Sequence, residues 1–214
     1  MNIFSFFSSK ILKVYKSEIN GNIKIIENKG KKTVYVGGAE QTGGTITGMW
    51  KKALKVLKKR RNNSSTCLIL GLGGGDVIRI LKGLYPNLKM TVVEIDPVMI
   101  GMADEFFGMG VSSQLKIIKD DAWKFLKKNT VKYDLIIIDL FIGFLNPQKF
   151  RKKEFLKLLQ KSLGQSGFAV YNSHYRPENP GDFSGFYEYC RQIFPKASVL
   201  VEYPFSRIIL LPET

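Results

Sequence analysis

Carboxylates spaced behind a glycine run are the residues of this chain most able to do chemistry. The run is Gly71, Gly73, Gly74 and Gly75 in CLILGLGGGDVIRIL, where an apolar stretch breaks and then resumes with helical spacing. Glycines let the backbone turn tightly and approach a ligand closely, and the next helix offers its N-terminus there. A dinucleotide fingerprint would need G-x-G-x-x-G. Its third glycine position is Asp76 here, a carboxylate that repels a pyrophosphate and suits a cationic ligand. Capping the following helix is the role expected of Asp76 itself.

Further acids follow at regular stations. VVEIDP places Glu94 about 20 residues past the loop, the spacing at which a carboxylate accepts hydrogen bonds from ribose hydroxyls. Asp96 is expected to orient the loop or cap a helix starting at Pro97. In KDDAWKFL, Asp121 or Asp120 can accept from an adenine amino group, with the Ala122 backbone and the Trp123 ring nearby, and N-capping is the competing role. YDLIIIDLF leaves Asp139 at the end of an apolar strand, where it can steady a sulfonium or take a proton from a nucleophile. His174, in YNSHYRPE, is a candidate second base. Tyr171, Asn172, Tyr175 and Arg176 are candidates to shape an acceptor pocket, with Arg176 suited to an anionic acceptor.

These residues need a scaffold that gathers strand ends. From Ser65 onward short apolar runs alternate with helical patterns, which predicts a parallel sheet covered on both faces. Ligands bind such sheets beyond the carboxyl ends of the strands, beside the first one. The last stretch, ASVLVEYPFSRIILL, reads as an antiparallel hairpin at the sheet edge. Before all this, residues 22–27 and 32–37 read as a hairpin turning at Asn28-Lys29-Gly30-Lys31, and GGAEQTGG as a loop. A basic amphipathic helix is expected from Thr45 to Arg61. The domain division predicted is a small N-terminal region over 1–44 and a Rossmann-like domain over 45–214.

The sequence resembles the spermidine synthase family of class I S-adenosylmethionine-dependent transferases, through VGGAEQ, LILGLGGGDVIRIL, VVEIDPVMI, DDAWKFL and YDLIIIDLF. The resemblance implies an α/β, seven-stranded Rossmann-like sheet after a small β-region, with an adenosyl cofactor in the crevice. By position, Gln41 matches a glutamine that touches the cofactor, Gly71, Gly73 and Gly75 the glycine loop, Glu94 the ribose ligand and Asp121 the adenine contact. Asp139 matches the first aspartate of the catalytic motif. Departures are equally specific. Gly74 stands where aminopropyltransferases carry the aspartate that holds the amine of decarboxylated S-adenosylmethionine. Leu140, Phe141, Ile142 and Gly143 follow Asp139 without the second, polyamine-gripping aspartate. Trp50-Lys51-Lys52 replaces a Tyr-His-Glu-type segment, and two ammonium groups in place of an acid predict repulsion of a polyamine.

Intact S-adenosylmethionine is therefore the expected cofactor, with the decarboxylated form or methylthioadenosine as other candidates, and no metal. Methyl transfer to an unknown acceptor is the leading function, polyamine aminopropyl transfer the alternative, and a non-catalytic adenosyl-ligand or protein-binding module the third. The formal charge of +15, from 33 Lys and Arg against 18 Asp and Glu, favours anionic partners. Nucleic acid is one, although KKALKVLKKRR and QKFRKKEFLKLLQK read foremost as solvated helix faces. The absence of a D/N-P-P-Y motif, where the chain has DLFI, argues against amino-group methylation of bases. Two cysteines without metal or disulfide spacing, and no run of about 20 apolar residues, set the expectation of a cytoplasmic protein without a membrane span. A homodimer is also expected. Residues 1–16 are read as a segment that covers the core rather than a signal peptide.

Overall fold

The computed structural model describes residues 9–60, 63–175 and 180–213. Its centre is a seven-stranded sheet in the order β10-β11-β9-β8-β5-β6-β7. The parallel strands are β5 (Thr66–Leu70), β6 (Lys89–Glu94), β7 (Leu115–Lys119), β8 (Tyr133–Ile138) and β9 (Leu163–His174). They alternate with α2 (Asp76–Leu84), α3 (Pro97–Phe107), α4 (Ala122–Lys128) and α5 (Lys153–Ser162), and α6 (Pro180–Ile193) follows β9. The strands β10 (Ser198–Tyr203) and β11 (Ser206–Pro212) close one edge, both pairings of β11 being antiparallel.

Strand periodicity explains why helices coat both faces. In β5, Cys67 and Ile69 enter one core with α1 (Gly44–Arg60) and α2, whereas Leu68 and Leu70 enter a second core with α4, α5 and α6. Successive strand side chains point to opposite faces, so a strand apolar at every position needs cover on both. Both cysteines are buried and free. Burial pushes the Cys190 thiol up to about 12. Among the described residues no helix is long and apolar enough to cross a membrane.

The N-terminal region is a four-stranded antiparallel sheet, not a lone hairpin: β1 (Lys10–Ser17), β2 (Gly21–Asn28), β3 (Lys31–Val36) and β4 (Ala39–Thr42). The β2-β3 turn falls where expected, with Lys29 and Gly30 both at positive φ, the geometry of a two-residue hairpin loop. GGAEQTGG is not a loop throughout. Gly37 and Gly38 turn the chain, Ala39 pairs with Val36, and the strand resumes. Glycine clusters mark the two turns here and hide the strand between them. Ile23, Ile25, Val34 and Val36 pack this sheet on Met99 and Met102 of α3. Helix α1 runs one residue earlier than expected, and Arg61 lies outside the described residues. Residues 1–8, part of the segment expected to cover the core, also lie outside them.

Candidate functional site

The glycine loop, the acids and the N-terminal sheet meet at the carboxyl ends of β5, β6 and β8. Gly71 has φ +95, and a Cβ there would lie 2.2 Å from the Asp139 carbonyl oxygen. Only glycine fits, so the β5 and β8 ends approach as closely as a backbone allows. Gly71 N donates to Val93 O and Asp139 N to Leu70 O, both at 2.9 Å. Tight backbone coupling thus holds the loop and the Asp139 carboxylate in one frame.

Two cavities adjoin there and share Gln41, Asp139 and Phe141. The lower one is lined by Gly71, Leu72, Gly73, Glu94, Asp120, Asp121, Ala122 and Lys149 among others. Glu94 accepts hydrogen bonds from Leu72 N and Asp96 N, each at 2.9 Å. Burial pushes its carboxyl above the usual range, and those backbone bonds offset the rise only in part. Asp121 caps α4 through Lys124 N and pairs with the Lys149 ammonium at 2.5 Å. Burial alone would raise its pKa, yet the Lys149 contact and the cap hydrogen bond hold the carboxyl below its ordinary value. The sequence pattern places Lys149 on a solvated helix face. It belongs to a 3₁₀ turn, Gln148–Arg151, that brings it to the cavity.

The upper cavity, of about 420 Å³, is lined mainly by apolar and aromatic groups: Ala39, Ile46, Phe141, Phe144, Leu145, Tyr175 and Phe205. Its charged lining residues are Glu40 and Asp139, with no lysine or arginine among the described residues. The anionic acceptor expected from Arg176 finds no described support, since Arg176 lies outside the described residues. Asp139 accepts from Trp50 Nε1 at 3.1 Å and from Asn172 Nδ2 at 2.8 Å. Burial raises its pKa to about 6, against the lowering effect of those two donors. Gln41 donates to the Gly143 carbonyl at 2.9 Å and so ties β4 to the loop after β8.

Several sequence expectations change. Asp76 does not cap α2: Gly75 is the N-cap, in the left-handed region, with no side-chain cap bond. The Asp76 carboxylate instead accepts from Gly43 N at 2.8 Å and Thr47 Oγ1 at 2.6 Å, and pairs with Arg79. It ties the start of α1 to the glycine loop. Asp96, grouped with the cofactor ligands, caps α3 through Val98 N and accepts from Ser17 Oγ and Asn20 Nδ2. It is 1% exposed and lines neither cavity. Gly74 and Gly75 also stand outside both linings. A Cβ on Gly75 would meet Met109, and one on Gly74 would lie 2.7 to 3.0 Å from the Thr42 side chain. Gly74 N donates to Thr42 Oγ1 at 2.7 Å. Lys51 and Lys52 are exposed on α1 and line neither cavity, so the repulsion argued from them does not operate inside the site. Tyr171 is buried with its hydroxyl donating to Phe150 O at 3.2 Å, and it too lies off the cavity. Asn172, His174 and Tyr175 do line the upper cavity.

Residues missed from the sequence are Glu40, Thr42, Phe144, Phe205 and Lys149. Only Glu40 and Thr42 left a trace, as polar residues flanking Gln41.

A model of the spermine/spermidine synthase domain matches residues 13–204. The chain belongs to that family. A polyamine aminopropyltransferase of Vibrio vulnificus strain CMCP6 is 38% identical over 109 residues, covering 50% of this chain and 36% of the relative. An eEF1A lysine and N-terminal methyltransferase homolog of Drosophila melanogaster is 27% identical over 136 residues, 59% of this chain and 20% of that one. The chain thus spans little more than a third of these relatives at most. Among solved structures, a probable spermidine synthase from Corynebacterium glutamicum ATCC 13032 superposes with a TM-score of 0.79 at 21% identity, covering 95% of this chain and 80% of that one. The family's fold, a mostly parallel sheet with an edge hairpin and a small N-terminal sheet, is the one described above.

Proposed function

We propose that this family member binds intact S-adenosylmethionine in the lower cavity and transfers its methyl group to an amine seated in the upper one. The observation that carries this reading is Thr42 packed on Gly74. Aminopropyltransferases resembling this chain use an aspartate at that position to hold the amine of the decarboxylated cofactor. Here Thr42 fills the space, so no acid there selects the decarboxylated form. Three acids beside the loop, Glu94, Asp120 and Asp121, fit a ligand bearing hydroxyls, an amino group and a positive charge.

The bound cofactor supplies an electrophilic methyl on a sulfonium. Glu94 retains lone pairs to accept from ribose hydroxyls, and Asp121 with the Ala122 backbone stands at the adenine end. Asp139, at the wall common to both cavities, would take the ammonium proton of the acceptor and so free the nitrogen lone pair for the methyl, with S-adenosylhomocysteine as the other product, while Trp50 and Asn172 fix its orientation. Transfer then depends mainly on positioning the nucleophile in line with the methyl. Aromatic faces and carboxylates without a nearby cation suit an amine on an apolar stem.

Methyl-labelled S-adenosylmethionine incubated with the full chain and butylamine or putrescine tests the reading. Label in the amine is expected, and spermidine formed at an enzyme-like rate from putrescine and decarboxylated cofactor would overturn it. Glu94→Ala should weaken S-adenosylmethionine binding by about 1–3 kcal/mol, whereas unchanged affinity would remove its ribose role. Aminopropyl transfer is the second reading, favoured by Glu40, a further carboxylate in the acceptor cavity, and by the aminopropyltransferase relatives.

A further inference from the structure

One charge on the lower cavity has no use in the scheme above. The ligand assigned there carries a sulfonium, and a second cation beside it would repel it. Lys149 nevertheless reaches the wall. It stands on the 3₁₀ turn between β8 and α5, yet its Nζ lies 2.5 Å from Asp121 Oδ2, past the end of β7, and 4.8 Å from the centroid of the Phe150 ring. Asp121 and Phe150 both line the cavity, so the ammonium is set between two of its walls. The Lys149 side chain is half-buried, which leaves room around its ammonium, whereas the carboxylate that it meets is almost enclosed.

Sheet order fixes how far this charge stands from the reacting sulfur. Asp139 follows β8 and Asp121 follows β7, with β5 and β6 between them. At a spacing of about 4.8 Å per strand, the two acids stand about 14 Å apart across the sheet. The sulfonium assigned beside Asp139 and the ammonium on Asp121 therefore occupy opposite ends of the cavity. What meets Lys149 is the far end of the ligand, its base.

The pair has bonding capacity to spare. An ammonium has three donors, and a carboxylate has about four lone-pair sites. Among the described residues Lys149 gives one hydrogen bond, to Asp121, which also accepts from Lys124 N. Against the effect of burial, the Lys149 contact and that cap bond hold the carboxyl below its ordinary value, so it acts only as an acceptor. One acceptor and one donor thus stand side by side at the wall. Adenine presents the complement, an amino donor beside a ring-nitrogen acceptor, the pattern that Asn or Gln reads with a single side chain.

We propose that Lys149 and Asp121 together read the base of the adenosyl ligand: the carboxylate accepts from the exocyclic amino group, and the Lys149 ammonium donates to a ring nitrogen beside it. This rests on the adenosyl reading of the lower cavity and makes Lys149 a specificity-determining residue of that site.

Calorimetric titration of the full chain with methylthioadenosine, and with its analogues that carry carbon in place of ring nitrogen N1 or N7, tests the pair. The probe has no amino-acid part, so Lys149 can act on it only through the nucleoside. Native protein should bind one of the two analogues about tenfold more weakly than the parent, the loss of one hydrogen bond from a charged donor. Lys149→Met should bind the parent about tenfold more weakly and separate it from that analogue by less than about twofold. Lys149→Arg, which keeps donors there, should restore part of the discrimination. Each comparison is a ratio within one protein, so a change in stability does not produce it. Native protein indifferent to both ring nitrogens would overturn the proposal. So would native discrimination retained in Lys149→Met, which would leave Lys149 as a partner of Asp121 alone. If methylthioadenosine itself does not bind, the adenosyl reading of the cavity fails, and the proposal falls with it.

Discussion

At the scale of single residues, the proposed chemistry rests on Asp139 and Gly74. A carboxyl whose folded pKa lies above its unfolded value binds more protons in the native state. Asp139 therefore favours the fold most at low pH, and that contribution fades as pH rises from about 4 to about 6. With the ionised form taking the amine proton, turnover should climb through the same midpoint. If the proposed methyl transfer occurs, initial rates between about pH 5 and 8 should show that limb in the native protein and lack it in Asp139→Asn. A flat native profile would contradict the role given to Asp139. Gly74→Asp tests the other residue: its side chain must displace Thr42, so it should cost about 1–3 kcal/mol without creating preference for the decarboxylated cofactor. Adding Thr42→Ala should recover part of that stability in a double-mutant cycle by urea denaturation.

Elements position these groups, and here the sequence and the structure agree unevenly. Apolar strands and helices at 3.6-residue spacing made the parallel sheet and its edge hairpin legible, along with Glu94, Asp121 and Asp139 at successive strand ends. The misread roles belong to side chains whose partners are distant in sequence. Asp76 looks like a helix cap because it follows glycines before an apolar run, but Gly43 and Thr47 lie 33 and 29 residues away along the chain. No local pattern marks such contacts. Asp96 shows the opposite case, since its cap of Pro97 was readable while its partners Ser17 and Asn20 were not. Because Asp76 binds across elements, Asp76→Ala should destabilise by about 1–3 kcal/mol, chiefly by leaving the Gly43 amide and the Thr47 hydroxyl without their acceptor. A change below about 1 kcal/mol in thermal or urea unfolding would show that the junction is held by other contacts.

At the scale of the whole molecule, the small sheet and the large one form a single site rather than a domain with an appendage. Thr42 covers the glycine loop, Gln41 grips the loop after β8, and Ile23, Ile25, Val34 and Val36 rest on α3. A chain beginning at Gly44 would expose Met99 and Met102 and free the Gly74 amide. It should lose adenosyl binding and aggregate, which light scattering and calorimetry would register; normal binding by the truncated chain would contradict this coupling. Family membership was legible in the glycine loop and the acids behind it, yet the proposed preference for the intact cofactor rests on Thr42, whose contact with Gly74 only three dimensions reveal. The most direct test is calorimetric titration of the full chain with S-adenosylmethionine and, separately, with its decarboxylated form. The intact cofactor is expected to bind at least as tightly as the decarboxylated one. Selective binding of the decarboxylated form, or binding of neither, would contradict it.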